Sequence, residues 1–177
     1  MILAHRGIWN EIVEQNTMIA FKRAFERKIG IETDIRDYNG EIVISHDIPS
    51  GKTLFLSDFF KEYKNFNSNV CLALNVKSDG LSLKLKSLIK RFQILEYFCF
   101  DMSYPDLRDY DKNDLHFYTR TSEYEKELLQ YENCKGVWVD AFKTEWYSKD
   151  ILKNFLKQNK KIAIVSPELH KRFYKSS

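Results

Sequence analysis

Two pairs of polar residues in the first half of the chain have types and spacings that could bind a metal ion. Glu32 and Asp34 lie two residues apart in an isoleucine-rich run, so on a β-strand both carboxylates would point to the same face. Two carboxylates that share a cavity repel each other and stay ionised around a cation, and hard oxygen ligands suit Mg²⁺ or Ca²⁺. Asn75 and Lys77 have the same spacing, which would place an amide oxygen and an ammonium group beside the carboxylates.

Two histidines could add acid and base catalysis to this group. His5 and His46 each follow an apolar run, and each adjoins a charged residue. Cleavage of a phosphodiester needs a general base, a general acid, cations for the phosphate oxygens and a metal ion for the developing charge. The histidines, the acidic pair, Arg6 and Lys77 supply that set, so we predict a site for phosphodiester chemistry.

The elements that must position these residues are predicted from short β-branched or aromatic runs that alternate with longer segments of helical period. Strands are predicted at residues 2–4, 29–35, 42–45, 70–76, 97–100, 115–118, 136–139 and 161–165. Helices are predicted at residues 17–28, 57–63, 81–92, 123–131 and 148–159. Asn39-Gly40 marks a tight turn that joins two strands directly.

Repeated strand–helix units imply a parallel sheet, and about eight strands predict an α/β fold of the TIM-type (β/α)8 barrel class. We expect one domain over residues 1–177. Since such barrels usually need about 200 residues or more, this barrel would be small and distorted or incomplete. An open doubly wound parallel sheet is the alternative.

The active site of a parallel barrel gathers at the carboxyl ends of its strands. Polar and aromatic residues near the ends of the later predicted strands are therefore candidates for binding a sugar or polyol phosphodiester. They are Asp101, Arg120, Trp138, Glu168 and His170. The alternative interpretation is that Trp138 fills the barrel and the charged residues cap helices.

The composition of the chain indicates which binding partners and which cellular compartment to expect. The formal net charge is +3 and the 28 Lys and Arg residues are dispersed, so the sequence favours neither nucleic acid nor an acidic membrane as a partner. No apolar stretch approaches the ~18 residues of a membrane span, and the first residues do not resemble a secretory leader. Three cysteines predict buried free thiols in a reducing compartment, so we expect a cytoplasmic protein with a small-molecule substrate.

An ordered series of short motifs resembles the glycerophosphodiester phosphodiesterase family, within the wider phosphatidylinositol-phospholipase-C-like superfamily. The motifs are Ala4-His5-Arg6-Gly7, Gln15-Asn16-Thr17 before Ala20-Phe21, Glu32-Thr33-Asp34, Val43-Ile44-Ser45-His46-Asp47 and Leu74-Asn75-Val76-Lys77. They cover roughly the first 80 residues of the chain. Beyond Lys77 only the alternation of strands and helices agrees with the family.

The resemblance implies a TIM-type barrel and a role for each matching position. His5 and His46 would be the acid/base pair, Glu32 and Asp34 metal ligands, and Arg6 and Lys77 phosphate contacts. In the family, a hydroxyl beside the phosphate can attack first and give a cyclic phosphate that water then opens.

The sequence departs from the family's pattern at three places. Asn75 stands where the family has an acidic third ligand, although an amide oxygen can still coordinate Mg²⁺ or Ca²⁺. Gln15 replaces the glutamate of the usual motif, with Glu14 beside it. The substantial insertion that the family carries after its His-Asp motif is missing here. Because that insertion helps to shape the substrate site in the family, the resemblance does not identify the substrate of this chain.

Two other functions are compatible with the same residues. The barrel could be catalytically degenerate and bind a phosphoryl ligand or a partner. It could also be a lyase that stops at the cyclic phosphate.

Overall fold

A computed structural model describes residues 1–67 and 69–172. The chain divides into two compact units, Met1–Leu115 and His116–Ser177, which we call the N-terminal unit and the C-terminal unit. Each unit is an α/β structure with its own sheet. The single domain over residues 1–177 stays a prediction.

The N-terminal unit contains the longest strand of the described chain. Its strands are β1 (Leu3–His5), β2 (Gly30–Tyr38), β3 (Glu41–Ile44), β4 (Leu54–Phe55), β5 (Leu72–Val76) and β6 (Tyr97–Phe100). Its helices are α1 (Met18–Glu26), α2 (Leu56–Asn65), α3 (Ser82–Phe92) and α4 (Tyr104–Lys112), and a 3₁₀ turn covers Ile12–Glu14.

Strand β2 organises the sheet of this unit. Strand β5 pairs in parallel with one edge of β2, and β6 pairs in parallel with β5. The other edge of β2 has two partners in succession, because β1 pairs in parallel with its first residues and β3 pairs antiparallel with its last ones. The hairpin between β2 and β3 turns at Asn39 and Gly40, where both φ angles are positive, as the predicted tight turn requires.

Aromatic side chains at helical spacing pack the helices of this unit together. Helix α1 buries Phe21 and Phe25 on one face, and their rings lie 4.6 Å and 5.8 Å from the ring of Phe59 in α2. The ring of Phe60 lies 6.0 Å from that of Phe92 at the end of α3. Fully burying a phenylalanine side chain contributes roughly 1.5–3 kcal/mol, so these contacts hold the scaffold behind the sheet.

The C-terminal unit is smaller and consists of β7 (Tyr118–Thr121), β8 (Gly136–Val139), α5 (Lys149–Lys157) and β9 (Lys161–Ile164), followed by a 3₁₀ turn at Pro167–His170. The three strands are parallel, in the order β7-β8-β9. Val137 and Val139 of β8 pack with Phe155 of α5. Because side chains alternate along a strand, Trp138 faces the side of β8 opposite that core.

The α/β class predicted from the sequence is confirmed, and the strand pairings of the described residues form two sheets and no closed ring. The TIM-type barrel therefore stays a prediction, and the open doubly wound sheet stays its alternative. The described part of the chain contains no helix that is long and apolar enough to span a membrane. Cys71, Cys99 and Cys134 are buried free thiols, as predicted.

One helix prediction was wrong, and one helix was missed. Residues 123–131 form turns, because the Ser122 hydroxyl accepts the N–H groups of Tyr124 and Glu125 and the Glu125 carbonyl accepts the Ser122 N–H. Those local bonds compete with the helical ones. Helix α4 was not predicted, although Ser103 caps it and Pro105 lies in its first turn, as is usual at helix starts.

Candidate active site

Strand pairing brings four of the predicted site residues to one face of the sheet in the N-terminal unit. His5 of β1 is the direct partner of Glu32 in β2, and Asn75 of β5 is the direct partner of Asp34. Paired residues of parallel strands point to the same face, and Glu32 and Asp34 share a face because they are two residues apart. The imidazole, the two carboxylates and the amide therefore lie together.

The end of β1 has a backbone conformation that aims main-chain and side-chain groups at the carboxylates. Arg6 has a positive φ of 57°, and its N–H donates to the carbonyl of Glu32 at 2.8 Å and to Glu32 Oε2 at 3.3 Å. Gly7 follows with φ 85°, and a Cβ there would lie 2.8 Å from Ala20 Cβ. Only glycine fits this close approach to α1, so the packing of the helix fixes where Arg6 points.

Asp34 is almost fully buried and is surrounded by cationic and amide groups. Its Oδ2 lies 2.8 Å from Arg6 Nε and accepts a hydrogen bond from Asn16 Nδ2 at 2.8 Å. Its Oδ1 lies 3.4 Å from Lys77 Nζ. The two phosphate-binding candidates, Arg6 and Lys77, therefore both converge on this carboxylate, as a compact cationic pair beside an acidic one.

Glu32 is also buried, but among residues 1–67 and 69–172 no Lys or Arg side chain lies at hydrogen-bonding distance from its carboxylate. Burial, and after it the charge of Asp34, raise the pKa of Glu32 to about 8 against the opposing effect of a hydrogen bond from the Asn75 side chain. His5 Nε2 lies 3.9 Å from Glu32 Oε2. An additional positive charge at this face would keep Glu32 ionised near neutral pH.

The two histidines interact with each other electrostatically. Burial lowers the pKa of His5, and the positive charges of Arg6, His46 and Lys77 lower it too, while Asp34 opposes them. The ring is therefore neutral near pH 7 and able to accept a proton. His46 is half exposed after β3, and its Nδ1 lies 2.8 Å from Asp47 Oδ1, which lowers the pKa of Asp47. The backbone carbonyl of His46 also accepts a hydrogen bond from Arg36 Nη1.

The donor set fits a divalent cation with oxygen ligands. Glu32 and Asp34 supply carboxylate oxygens, and within residues 1–67 and 69–172 the buried Asn75 Oδ1 has no hydrogen-bond partner. An orphaned buried oxygen beside two carboxylates is the chemistry that Mg²⁺ and Ca²⁺ prefer. The described residues contain no group of three or more His, Cys, Asp or Glu side chains placed to hold a metal, so the metal-binding role of Glu32, Asp34 and Asn75 stays a prediction.

Sequence reasoning missed the importance of Asn16. Its side chain donates to Asp34 and accepts from the Thr33 hydroxyl at 2.8 Å, and its N–H donates to the Arg6 carbonyl. Its φ of 58° is a conformation that asparagine tolerates better than most residues. The position inside the Gln15-Asn16-Thr17 motif was the available signal.

The two polar neighbours of Asn16 have separate partners. Gln15 accepts a hydrogen bond from Arg6 Nη1 at 3.1 Å, so the glutamine that replaces the family's glutamate still contacts the site. Glu14 pairs with Arg23 at 2.5 Å.

The remaining candidates lie after β6 or in the C-terminal unit. Asp101 follows β6 with a positive φ of 67°. Arg120 and Trp138 are direct partners on β7 and β8, so they share a face, and Arg120 is paired with Glu125 through contacts of 2.6 Å and 2.9 Å. His170 Nε2 lies 2.5 Å from the buried Asp140 Oδ1, and Glu168 is exposed on the same 3₁₀ turn. Their roles in substrate binding stay predictions.

Solved glycerophosphodiester phosphodiesterases have a fold similar to that of this chain. A candidate glycerophosphodiester phosphodiesterase from Galdieria sulphuraria matches with a TM-score of 0.75 and 19% identity, over 92% of this chain and 82% of that chain. The enzyme from Agrobacterium tumefaciens str. C58 matches with a TM-score of 0.70 and 13% identity, over 92% and 85% of the two chains. One from Parabacteroides distasonis ATCC 8503 matches with a TM-score of 0.68 and 19% identity, over 95% and 85%.

These matches confirm, at the level of the fold, the resemblance that the sequence motifs indicated. A scan against protein-family models gives no match, and a search of curated proteins gives none either.

Proposed function

We propose that this chain is a metal-dependent phosphoric diester hydrolase that cleaves a small phosphodiester, such as a glycerophosphodiester or a sugar or polyol phosphodiester. The observation that supports it best is the register of β1, β2 and β5, which joins His5, Glu32, Asp34 and Asn75 on one face. The similarity of fold to solved glycerophosphodiester phosphodiesterases adds support.

The proposed chemistry uses the two histidines as the acid/base pair. One histidine takes the proton of the attacking oxygen, which belongs to water or to a hydroxyl beside the phosphate. The bond from phosphorus to the leaving oxygen breaks, and the other histidine gives that oxygen a proton. Attack by the hydroxyl gives a cyclic phosphate, which water opens in a second step of the same kind.

The cations of the site bind and orient the phosphate. Arg6 and Lys77 lie at 2.8 Å and 3.4 Å from the carboxylate of Asp34, so both are held close to the proposed metal ligands. A phosphate oxygen that enters this space meets a guanidinium and an ammonium group. Glu32, Asp34 and Asn75 would hold Mg²⁺ or Ca²⁺, which supplies a Lewis acid that offsets charge on the phosphate oxygens.

The test is hydrolysis of bis(p-nitrophenyl) phosphate and a panel of glycerophosphodiesters, with EDTA and with added Mg²⁺, Ca²⁺ or Mn²⁺. We expect turnover that EDTA removes and that a divalent ion restores. Product analysis separates a hydrolase, which releases a phosphomonoester, from a lyase that stops at the cyclic phosphate. Activity that is unchanged in EDTA would contradict the metal requirement.

A second candidate function is a degenerate barrel that binds a phosphoryl ligand without cleaving it. One observation favours it, since the described part of the chain contains no group of three or more His, Cys, Asp or Glu side chains placed to hold a metal. Tight binding of a phosphodiester with no turnover in any metal would support this function over the hydrolase.

The closed barrel and the cytoplasmic location belong to the same proposal. The solved structures match over 92% or more of this chain, which supports one barrel domain over residues 1–177. Three buried free thiols are typical of proteins in a reducing compartment.

A further inference from the structure

The loop between β5 and α3 begins at Lys77, one of the two proposed phosphate contacts. The Lys77 N–H donates to the carbonyl of Ile35 in β2 at 2.9 Å, and its Nζ lies 3.4 Å from Asp34 Oδ1. The hydroxyl of the next residue, Ser78, accepts the N–H of Asp37 at 3.0 Å. Because a lysine side chain is long and flexible, the position of its ammonium group depends on how firmly the backbone that carries it is held.

The rest of this loop is attached to the start of α4. Asp79 Oδ2 accepts a hydrogen bond from the Ser103 hydroxyl at 2.9 Å, and Asp106 Oδ1 accepts one from the Gly80 N–H at 2.9 Å. Ser103 also caps α4, since its Oγ accepts the N–H of Asp106. The two bonds join residues that are 24 and 26 positions apart in the chain, so they fix the loop relative to the helix.

Asp106 is a buried carboxylate, whereas Asp79 and Ser103 are exposed. Asp106 is 5% exposed, and among the residues that the structure describes its Oδ2 has no hydrogen-bond partner. Burying a carboxylate with an unpaired oxygen costs free energy, so stability alone does not explain an aspartate at this position. Helix α4 is itself anchored by the buried Leu107 and Tyr110. Asp106 therefore holds the loop from a fixed support.

We infer that Asp106 is a positioning residue for Lys77, because its hydrogen bond to Gly80 fixes the loop that presents the Lys77 ammonium group to the phosphate. This inference rests on the proposed function and adds a residue outside the candidate active site. A charge-assisted hydrogen bond to a phosphate oxygen needs its two atoms about 2.7–2.9 Å apart. A loop that is free to shift would hold the ammonium group at that distance for less of the time, and the phosphodiester would bind more weakly.

The test is a double-mutant cycle on binding. Isothermal titration uses glycerophosphocholine and Mg²⁺ in the His46→Ala background, so that turnover does not consume the ligand. Asp106→Ala should raise the dissociation constant about fivefold and Lys77→Ala about tenfold, and the double variant should bind no more weakly than Lys77→Ala alone. Additive effects, or an unchanged dissociation constant in Asp106→Ala or in Lys77→Ala, would overturn the inference.

Two further variants separate positioning from folding. Asp106→Asn keeps an oxygen that can accept the Gly80 N–H, so its dissociation constant should lie within about twofold of that of the His46→Ala chain. Ser103→Gly removes the bond to Asp79 without a change in charge, and glycine is tolerated as a helix cap, so this chain should fold and bind about twofold more weakly. If Asp106→Ala fails to fold, an unchanged dissociation constant in Ser103→Gly overturns the inference.

Asp109→Ala is the matched control, because Asp109 is exposed on the same helix and pairs with Lys112. It removes the same charge as Asp106→Ala and should leave the dissociation constant unchanged. Loss of a negative charge by itself favours an anionic ligand, so weaker binding in Asp106→Ala would report the lost position of Lys77. A control that weakens binding as much as Asp106→Ala would overturn the inference.

Hydrolysis of bis(p-nitrophenyl) phosphate by chains with His46 intact distinguishes this inference from the proposed function. Asp106→Ala should raise KM with a smaller change in kcat, because the interaction that is lost binds the phosphate before and during the reaction. Turnover by the unaltered chain together with additive binding effects removes the positioning role and leaves the function standing. Coupled binding effects in a chain that hydrolyses no phosphodiester leave the positioning role standing and remove the hydrolase.

Discussion

The N-terminal and C-terminal units use charged residues at strand ends in different ways. In the N-terminal unit, Arg6 and Lys77 both approach the single buried carboxylate of Asp34, and Glu32 lies beside it with a pKa raised by burial to about 8. Charges from three strands and their loops are therefore concentrated on one face. The negative charge on this face is not fully balanced, since Glu32 and the orphaned Asn75 oxygen could still accept a cation.

In the C-terminal unit the charged side chains are balanced by partners within the same unit. Arg120 is held by Glu125, and the buried Asp140 is held by His170. Burial works to raise the pKa of Glu123, but hydrogen bonds from backbone N–H groups, chiefly that of Lys143, outweigh it and lower the pKa to about 2. Each of these three carboxylates therefore has at least one hydrogen-bond partner from the same unit.

The difference teaches how to separate catalytic from structural polar residues. A polar group whose charge is balanced by its hydrogen-bond partners stabilises the structure around it. A group that converges with others from different strands, and leaves an oxygen or a carboxylate uncompensated, is prepared for a ligand. Substitutions of these residues should therefore lower activity in the N-terminal unit and lower stability in the C-terminal unit.

The largest expected effect is on catalysis in the N-terminal unit. His46→Ala and His5→Ala should each lower kcat by about 10²–10⁴-fold, because general acid or base catalysis is lost. His46 is half exposed, so the unfolding midpoint in urea should hardly change. Steady-state hydrolysis and urea titration measure both quantities. A variant with near-normal kcat would remove that histidine from the acid/base pair.

Asn75→Asp tests whether residue 75 is a ligand of the metal ion. It should tighten binding of Mg²⁺ or Ca²⁺ on the order of tenfold, because a charged ligand replaces a neutral one. Without metal the variant should be less stable, since a third carboxylate would face Glu32 and Asp34. Isothermal titration with each ion measures the affinity.

The control for Asn75→Asp is Asn154→Asp, which adds the same charge on the exposed side of α5. It should leave metal affinity unchanged. Equal affinities for Asn75→Asp and the unaltered chain would mean that residue 75 is outside the coordination shell.

His170→Ala should mainly affect stability. Its loss leaves the buried Asp140 with fewer hydrogen-bond partners, and we expect the free energy of unfolding to fall by about 1–3 kcal/mol. Urea unfolding measures the change, and KM for the best substrate is measured in parallel. A raised KM with unchanged stability would instead support the substrate-binding role predicted from the sequence.

Glu123→Gln should produce the smallest effect, a change in the dependence of stability on pH. The pKa of Glu123 is lowered in the folded chain from an ordinary 4.5 to about 2. Its stabilisation is therefore complete above pH 4.5 and is lost as the pH falls from 4.5 towards 2. The unfolding free energy of the variant should fall less steeply over this window than that of the unaltered chain, and should be about 1 kcal/mol lower at pH 7.

Glu127→Gln serves as the control for this pH measurement, because Glu127 lies exposed in the same connection. Its pH profile should follow that of the unaltered chain. Identical profiles for Glu123→Gln and Glu127→Gln would show that the backbone N–H groups near Lys143 do not stabilise the Glu123 carboxylate.

Much of the N-terminal unit could be predicted because local pattern and tertiary structure agree there. The spacing of Glu32 and Asp34 fixes their common face on any strand, and Asn39-Gly40 fixes the hairpin. The turn region 123–131 could not be predicted, since its periodic apolar residues suggested a helix. Ser122 instead accepts the N–H groups of Tyr124 and Glu125, and Glu123 accepts the N–H of Phe142, which the sequence alone does not bring near.

The sequence by itself determined which residues are able to do chemistry here, because residue type and spacing along a strand decide charge, basicity and side-chain direction. Only the tertiary structure decided which of these side chains lie next to one another. The register of β1 and β5 against β2 sets His5 beside Glu32 and Asn75 beside Asp34, and the loop from β1 to α1 brings Asn16 to Asp34. Register depends on how the helices and strands pack together, and a one-residue slip would turn Asn75 to the other face.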